Sequence, residues 1–257
     1  MVDRSGDGSV GDADYQHLGA SYARYRRPDP RIAERITAAL GSARTVLNVG
    51  AGAGSYEPTD REVTPVEPSE TMRAQRADHL PSALDAVAEH LPFPDDSFDA
   101  AMTTFSVHQW RDTGAGLREI RRVTRGPVVI LTCDPRLLDG YWLNEHAPRV
   151  IEAEQRRYPP LSELESGLNT ALRTTPVPIP LDCSDGFNEA YYGRPEMLLD
   201  PAARQSCSAW SFLDATSQDR FALALEHHLV DGTWDRRFGH LRTQPFYEGS
   251  LVIAVTN

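Results

Sequence analysis

Apolar residues are distributed in two alternating ways along the chain. Short runs rich in apolar and β-branched residues at 45–49 (TVLNV), 98–106 (FDAAMTTFS) and 127–133 (PVVILTC) predict buried strands. Between them, apolar positions recur every three or four residues. From about Arg31, Ile32, Ile36 and Leu40 share one stripe, and over 116–124 Leu117, Ile120 and Val123 do the same with arginines outward. Val63 to Glu67 reads as a further strand, although Pro65 sits awkwardly inside it. A helix is predicted over 69–79 with Ser69 as its N-cap, and a faint strand near 83–88. Strands alternating with helices predict a parallel, doubly wound α/β sheet.

After position 134 the alternation stops. Residues 135–215 are rich in proline and aromatics and show no clear strand. A helix follows at 218–230, and then FGHLRT and SLVIAVT, which look like a closing hairpin. The expected organisation is a disordered tail over 1–14, a core built from 15–134 and 216–257, and a lid over 135–215.

Composition narrows the chemistry. The net charge of −11 argues against a nucleic-acid partner, which needs a basic face. Every basic residue apart from histidine is arginine; there is no lysine, as a high-GC genome would give. That rules out a lysine-bearing phosphate loop and a pyridoxal Schiff base. Cys133, Cys183 and Cys207 fit no zinc spacing. No apolar run reaches 18 residues, and the polar start does not read as a signal peptide, so a cytoplasmic location away from membranes is expected.

The first strand runs into GAGAGS, with glycines at 50, 52 and 54. Such a turn lets backbone approach a ligand closely. A dinucleotide fingerprint wants glycine at 55, where this chain has Ser55. Glu67 lies 17 residues past Gly50, near the offset at which a carboxylate holds two ribose hydroxyls.

Taken in order, LNVGAGAGSYEP, VTPVEPSETM and AEHLPFPDDSFD resemble the class I S-adenosylmethionine-dependent methyltransferases of the type 11 small-molecule branch. The resemblance covers roughly 15–134 and the final hairpin. It implies a Rossmann-like sheet of about seven strands with the last antiparallel, a mostly helical lid before the closing hairpin, and neither metal nor covalent intermediate. It implies that Gly50, Gly52 and Gly54 lie under the methionine part of S-adenosyl-L-methionine and that Glu67 holds the ribose. Pro68 and Met72 would flank the adenine, with Ala88 and Glu89 on its other side and Phe105 also against the cofactor. Tyr22 and Arg26, in SYARYRRPDP, would fold over the cofactor, Arg26 toward its carboxylate. Asn48 stands where the family usually has an acid, and Val87 likewise. Pro58 should shorten the first helix.

The expected reaction is in-line methyl transfer to an O, N or C nucleophile of a small molecule, in which positioning and desolvation do most of the work. His108, after the strand at 98–106, is the candidate general base, with a structural or stacking histidine as the plainer reading. Trp110 is the candidate pocket wall. In the lid, Trp142, Asp182, Asp185, Tyr191, Tyr192 and Arg194 are candidate acceptor contacts, against plainer readings as caps, turns and packing. The alternatives are a non-catalytic cofactor-binding partner of the same fold and a dinucleotide-dependent oxidoreductase. The acceptor and the oligomeric state are not legible in the residues.

Overall fold

The computed structural model describes residues 24–256. Eight strands are present among them: β1 (Thr45–Val49), β2 (Glu62–Val66), β3 (Ala100–Thr104), β4 (Val128–Cys133), β5 (Leu172–Pro176), β6 (Ile179–Pro180), β7 (Phe246–Tyr247) and β8 (Leu251–Thr256). Six of them form the central sheet in the order β2-β1-β3-β4-β8-β5, and β6 and β7 pair separately. Strands β1 to β4 are mutually parallel, and β8 runs antiparallel to both of its neighbours. The fold is thus the doubly wound α/β arrangement with an antiparallel last strand, with six strands in its sheet rather than seven.

Burial on both faces explains the apolar run of β4. In β4, Val129, Leu131 and Cys133 join one core while Val128 and Ile130 join the other. The first core is closed by α1 (Pro30–Leu40) through Ile32, Ile36 and Leu40. Asp29 caps α1 by accepting from the Arg31 N–H, and Pro30 stands where a missing N–H costs nothing. A second, short helix is α2 (Glu70–Ala74), and the opposite core is closed by α3 (Thr113–Val123) through Leu117, Ile120 and Val123. Residues 135–215 add α4 (Leu143–His146), α5 (Pro148–Arg157), α6 (Leu161–Leu168) and α7 (Pro201–Gln205), followed by α8 (Ala215–Val230) and α9 (Thr233–Phe238). Trp142, Trp210 and Trp234 from this part sit in the same core as α1, so the helical part widens one face of the sheet. No described helix is long and apolar enough to cross a membrane.

Four sequence expectations change. The strand expected near 83–88 reduces to one rung, in which the Leu84 N–H donates to Pro65 and the Leu84 carbonyl accepts from Glu67. Leu84 is exposed, so nothing apolar drives a longer pairing. This leaves β2 at the sheet edge and resolves the awkward Pro65: its carbonyl faces outward to Leu84, so its absent N–H removes no bond to β1. The helix expected over 69–79 ends at Ala74, although Ser69 does cap it, accepting from the Met72 N–H. FGHLRT is a 3-10 turn rather than a strand, because the place beside β8 is taken by β5. β5 itself, inside the expected strandless lid, is largely exposed and polar; an edge strand carries no hydrophobic signature.

Candidate active site

A cavity opens at the carboxyl ends of β1, β2 and β3, where open α/β sheets hold ligands. It is partly continuous with solvent. One end is walled by backbone. Gly50, Ala51, Gly52, Ala53, Ser55 and Tyr56 line it, together with Glu67, Pro68, Met72 and Ala88. No helix follows β1. Residues 50–56 are turn, consistent with Pro58 stopping helix growth.

The turn is held from behind. The Gly50 and Ala51 N–H groups both donate to the Val66 carbonyl. Arg76 reaches the Gly52 carbonyl and pairs with the buried Glu57 at 2.7 Å. Gly50 has φ +68, and a Cβ there would lie 1.7 Å from Ser106 Oγ, so only glycine fits. Beside the turn, Glu67 is buried, and its two carboxylate oxygens accept from the Gly52 and Ser69 N–H groups at 2.8 Å each. Those bonds aim the carboxylate along the cavity wall.

The other end is walled by side chains. Phe105, Ser106, His108 and Trp110 follow β3, and Glu154, Tyr158, Phe187, Asn188, Ser206, Cys207 and Ser208 come from the helical part. Phe105 holds a left-handed backbone (φ +49), a strained state that is commonest at functional sites. Its ring lies 5.3 Å from Phe187 and beneath the Arg26 guanidinium. Arg26 lines the cavity and pairs with Asp185 at 2.6 Å; Asp185 also accepts from the Tyr56 hydroxyl. The His108 ring lies 4.3 Å from that of Tyr158 with the planes tilted by 42°, and its Nδ1 has no hydrogen-bond partner among the described residues. Burial, then the Arg157 and Arg26 charges, hold its imidazole well below 6.5. Although His108 is deep in the molecule, it keeps accessible surface, and that surface borders the cavity.

Of the residues expected from sequence, Arg26, Gly50, Gly52, Glu67, Pro68, Met72, Ala88, Phe105, His108 and Trp110 meet at this cavity. Tyr22 lies outside the described residues. The others do not line it. Asn48 is fully buried and donates to Glu57, so the acid expected before the first glycine has its nearest counterpart in Glu57, under the turn. Gly54 faces Leu80 and Arg76 on the turn's far side. Glu89 accepts from the Asp112 N–H near the start of α3. Trp142 packs edge-on against Trp234 in the core. Asp182 is exposed and pairs with Arg31. Asp185 acts from behind, through Arg26 and Tyr56. Tyr191 is buried against Gly186. Tyr192 stacks on Tyr247 and donates to Gln244. Arg194 is spent on the Cys183 and Ala190 carbonyls. The aromatic and polar string at 179–201 was an attractive pocket by composition, but its side chains mostly satisfy buried backbone.

Sequence reasoning missed Glu154, Tyr158, Phe187, Asn188 and the 206–208 turn. For Glu154 a signal existed. It falls on the stripe Val150, Ile151, Glu154, Tyr158, an acid in register with an apolar face.

Residues 47–130 match the methyltransferase-domain family of type 11. That segment, about a third of the chain, is a methyltransferase domain of this family. Over 128 residues it is 29% identical to a malonyl-[acyl-carrier protein] O-methyltransferase of Halorhodospira halophila, covering 44% of this chain and 43% of that protein. Over 144 residues it is 28% identical to the methyltransferase YcgJ of Bacillus subtilis, covering 51% and 57%. The chain thus spans about half the length of these curated relatives. A crystal structure of a protein described as a methyltransferase from an antibiotic biosynthesis pathway of Anabaena variabilis superposes with a TM-score of 0.84. It is 27% identical, over 91% of this chain and 99% of that one. The matched segment runs from β1 into β4 and includes the backbone-walled end of the cavity, whereas the similarity to the Anabaena protein extends through the helical part as well.

Proposed function

We propose that this methyltransferase-family chain binds S-adenosyl-L-methionine at the backbone-walled end of the cavity and transfers its methyl group to an O, N or C nucleophile of a small molecule at the other end. The observation that carries the reading is the convergence of the Gly50–Tyr56 turn, Glu67 and Ala88 on one cavity. The fit of the cofactor to these residues rests on two features. The turn from Gly50 to Tyr56 lines the cavity largely with backbone, and the carboxylate of Glu67 is pre-aimed by two N–H donors. Glu67 would hold the ribose hydroxyls, and Pro68, Met72 and Ala88 would enclose the adenine. When bound, the cofactor supplies an electrophilic methyl on a sulfonium.

The chain's own residues do the rest. Phe105, Phe187, Trp110 and Tyr158 exclude water and press a small acceptor into position. Arg26, braced by Asp185, would face the cofactor carboxylate. His108 is held neutral by its burial and can accept a hydrogen bond from an acceptor. A specialised metabolite suits the reading, since the Anabaena protein is described as belonging to an antibiotic pathway.

Isothermal calorimetry with S-adenosylmethionine and S-adenosylhomocysteine tests the cofactor part. Binding in the micromolar range is expected, and no heat with either compound at millimolar concentration would end the reading. A co-crystal with S-adenosylhomocysteine should show the lid side chains around its sulfur to be those of 154–158, 187–188 and 206–208.

A further inference from the structure

Glu154 stands on the buried stripe of α5, one turn after Val150 and Ile151. Although deep in the molecule, it keeps accessible surface, and the cavity borders that surface. One oxygen, Oε1, accepts from the Asn188 side-chain amide at 2.7 Å. Asn188 is not free to turn. Its own side-chain oxygen accepts from the Trp210 indole at 2.9 Å, and an indole N–H can only donate. Its backbone carbonyl accepts from the Tyr141 hydroxyl. The amide N–H is therefore locked toward Glu154. The second carboxylate oxygen, Oε2, has no hydrogen-bond partner among the described residues.

The surroundings sort the cavity's titratable groups. Burial raises the Glu154 carboxyl to about 7; Glu189 adds to the rise, while the Asn188 bond and the charges of Arg157 and Arg26 oppose it. The neighbouring thiols of Cys133 and Cys207 and the phenols of Tyr141 and Tyr158 are pushed up by burial and stay protonated. Glu189 is likewise raised, but its carboxylate is taken up by the Ser250 N–H and hydroxyl. His108 is depressed, so its protonated form is disfavoured. A base works best when its own proton affinity matches the working pH, which favours Glu154 over His108.

We propose that Glu154 takes the acceptor's proton, and that the acceptor presents a hydroxyl or N–H on a planar ring, held between His108, Tyr158, Phe105 and Phe187 and directed at Oε2. This rests on the methyl-transfer reading. The acceptor atom's lone pair forms the new bond to the methyl carbon, the electrons of the broken S–C bond remain on sulfur, and the acceptor's proton ends on the Glu154 carboxylate. Asn188 is a positioning residue, because it acts through Glu154.

The test uses the full chain as wild type, Glu154→Gln, Glu154→Leu and His108→Asn, each with and without S-adenosylhomocysteine. NMR of protein labelled at the glutamate side-chain carboxyl should show one carboxyl with a midpoint near 7, absent from Glu154→Gln and present in His108→Asn. Phenol should bind the wild type roughly tenfold more tightly than anisole, which lacks the donor, and both Glu154 variants should lose that preference. Glu154 titrating at an ordinary carboxylate value of 4.5, or a phenol preference that survives in both variants, overturns the proposal. Loss of the preference in His108→Asn alone also overturns it and gives the role to the histidine. Failure to bind S-adenosylhomocysteine counts against methyl transfer only, since the titration and the phenol comparison also run without it.

Discussion

The two ends of the cavity are built in different ways. The first is made mostly of backbone from nearby stretches of chain: the 50–56 turn, the end of β2 at Glu67 and Pro68, Met72 and Ala88. The second is made of side chains drawn from 26, 105–110, 154–158, 187–188 and 206–208. A backbone wall tolerates little change, because its shape depends on φ values and on missing Cβ atoms. A side-chain wall can be altered residue by residue without moving the fold. That contrast suits one common ligand and one variable ligand, and it can be broken or sharpened by measurement.

The largest effect is expected where the second end is braced. Asp185→Asn removes the charge that pairs with Arg26 and accepts from the Tyr56 hydroxyl, breaking an ion pair that is largely shielded from water. Urea denaturation should show a loss of about 3–5 kcal/mol. Gly50→Ala should follow, at about 2–4 kcal/mol, because its Cβ meets Ser106 in a left-handed backbone. Gly41→Ala is the control. It also has positive φ but nothing within 4 Å, so it should cost about half as much. Equal losses at Gly50 and Gly41 would mean that the turn is not tightly walled.

Next comes Glu67→Ala. It should weaken S-adenosylhomocysteine binding by about 1.5–3 kcal/mol in calorimetry. Unchanged affinity would remove Glu67 from the ribose. A smaller effect separates the histidine. His108 is depressed below 6.5 in the folded chain, so the unfolded chain binds more protons as pH falls. Its contribution is present above 6.5 and is lost as pH drops below it, by at most about 1.4 kcal/mol per pH unit. His108→Gln should flatten that acid slope in thermal melts between pH 5 and 6.5. Asp182→Asn should do least, below about 1 kcal/mol and with no change in ligand affinity, because its ion pair is exposed.

Legibility in the sequence followed the same division. GAGAG, Glu67 and Ala88 could be found because they are short, ordered and tied to strand ends. Asn48, Gly54 and Glu89 belong to the same strings but face away from the cavity, since a motif names neighbours along the chain and not the direction of each side chain. In the helical part, composition singled out Asp182, Tyr191, Tyr192 and Arg194, which serve ion pairing and packing. It passed over Glu154 and Asn188. β5 was missed because an exposed edge strand needs no apolar alternation.

By itself, then, the sequence determined the α/β class and the backbone-walled end of the cavity. Those depend on local periodicity and on glycines whose backbone roles are intrinsic. Only the tertiary structure decided the acceptor-side end. Its walls come from segments as much as 182 positions apart, Arg26 to Ser208, brought together by burial of a shared core. Burial also decided which carboxylate there would hold its proton near neutral pH, because desolvation is a property of the assembled interior and not of any stretch of chain.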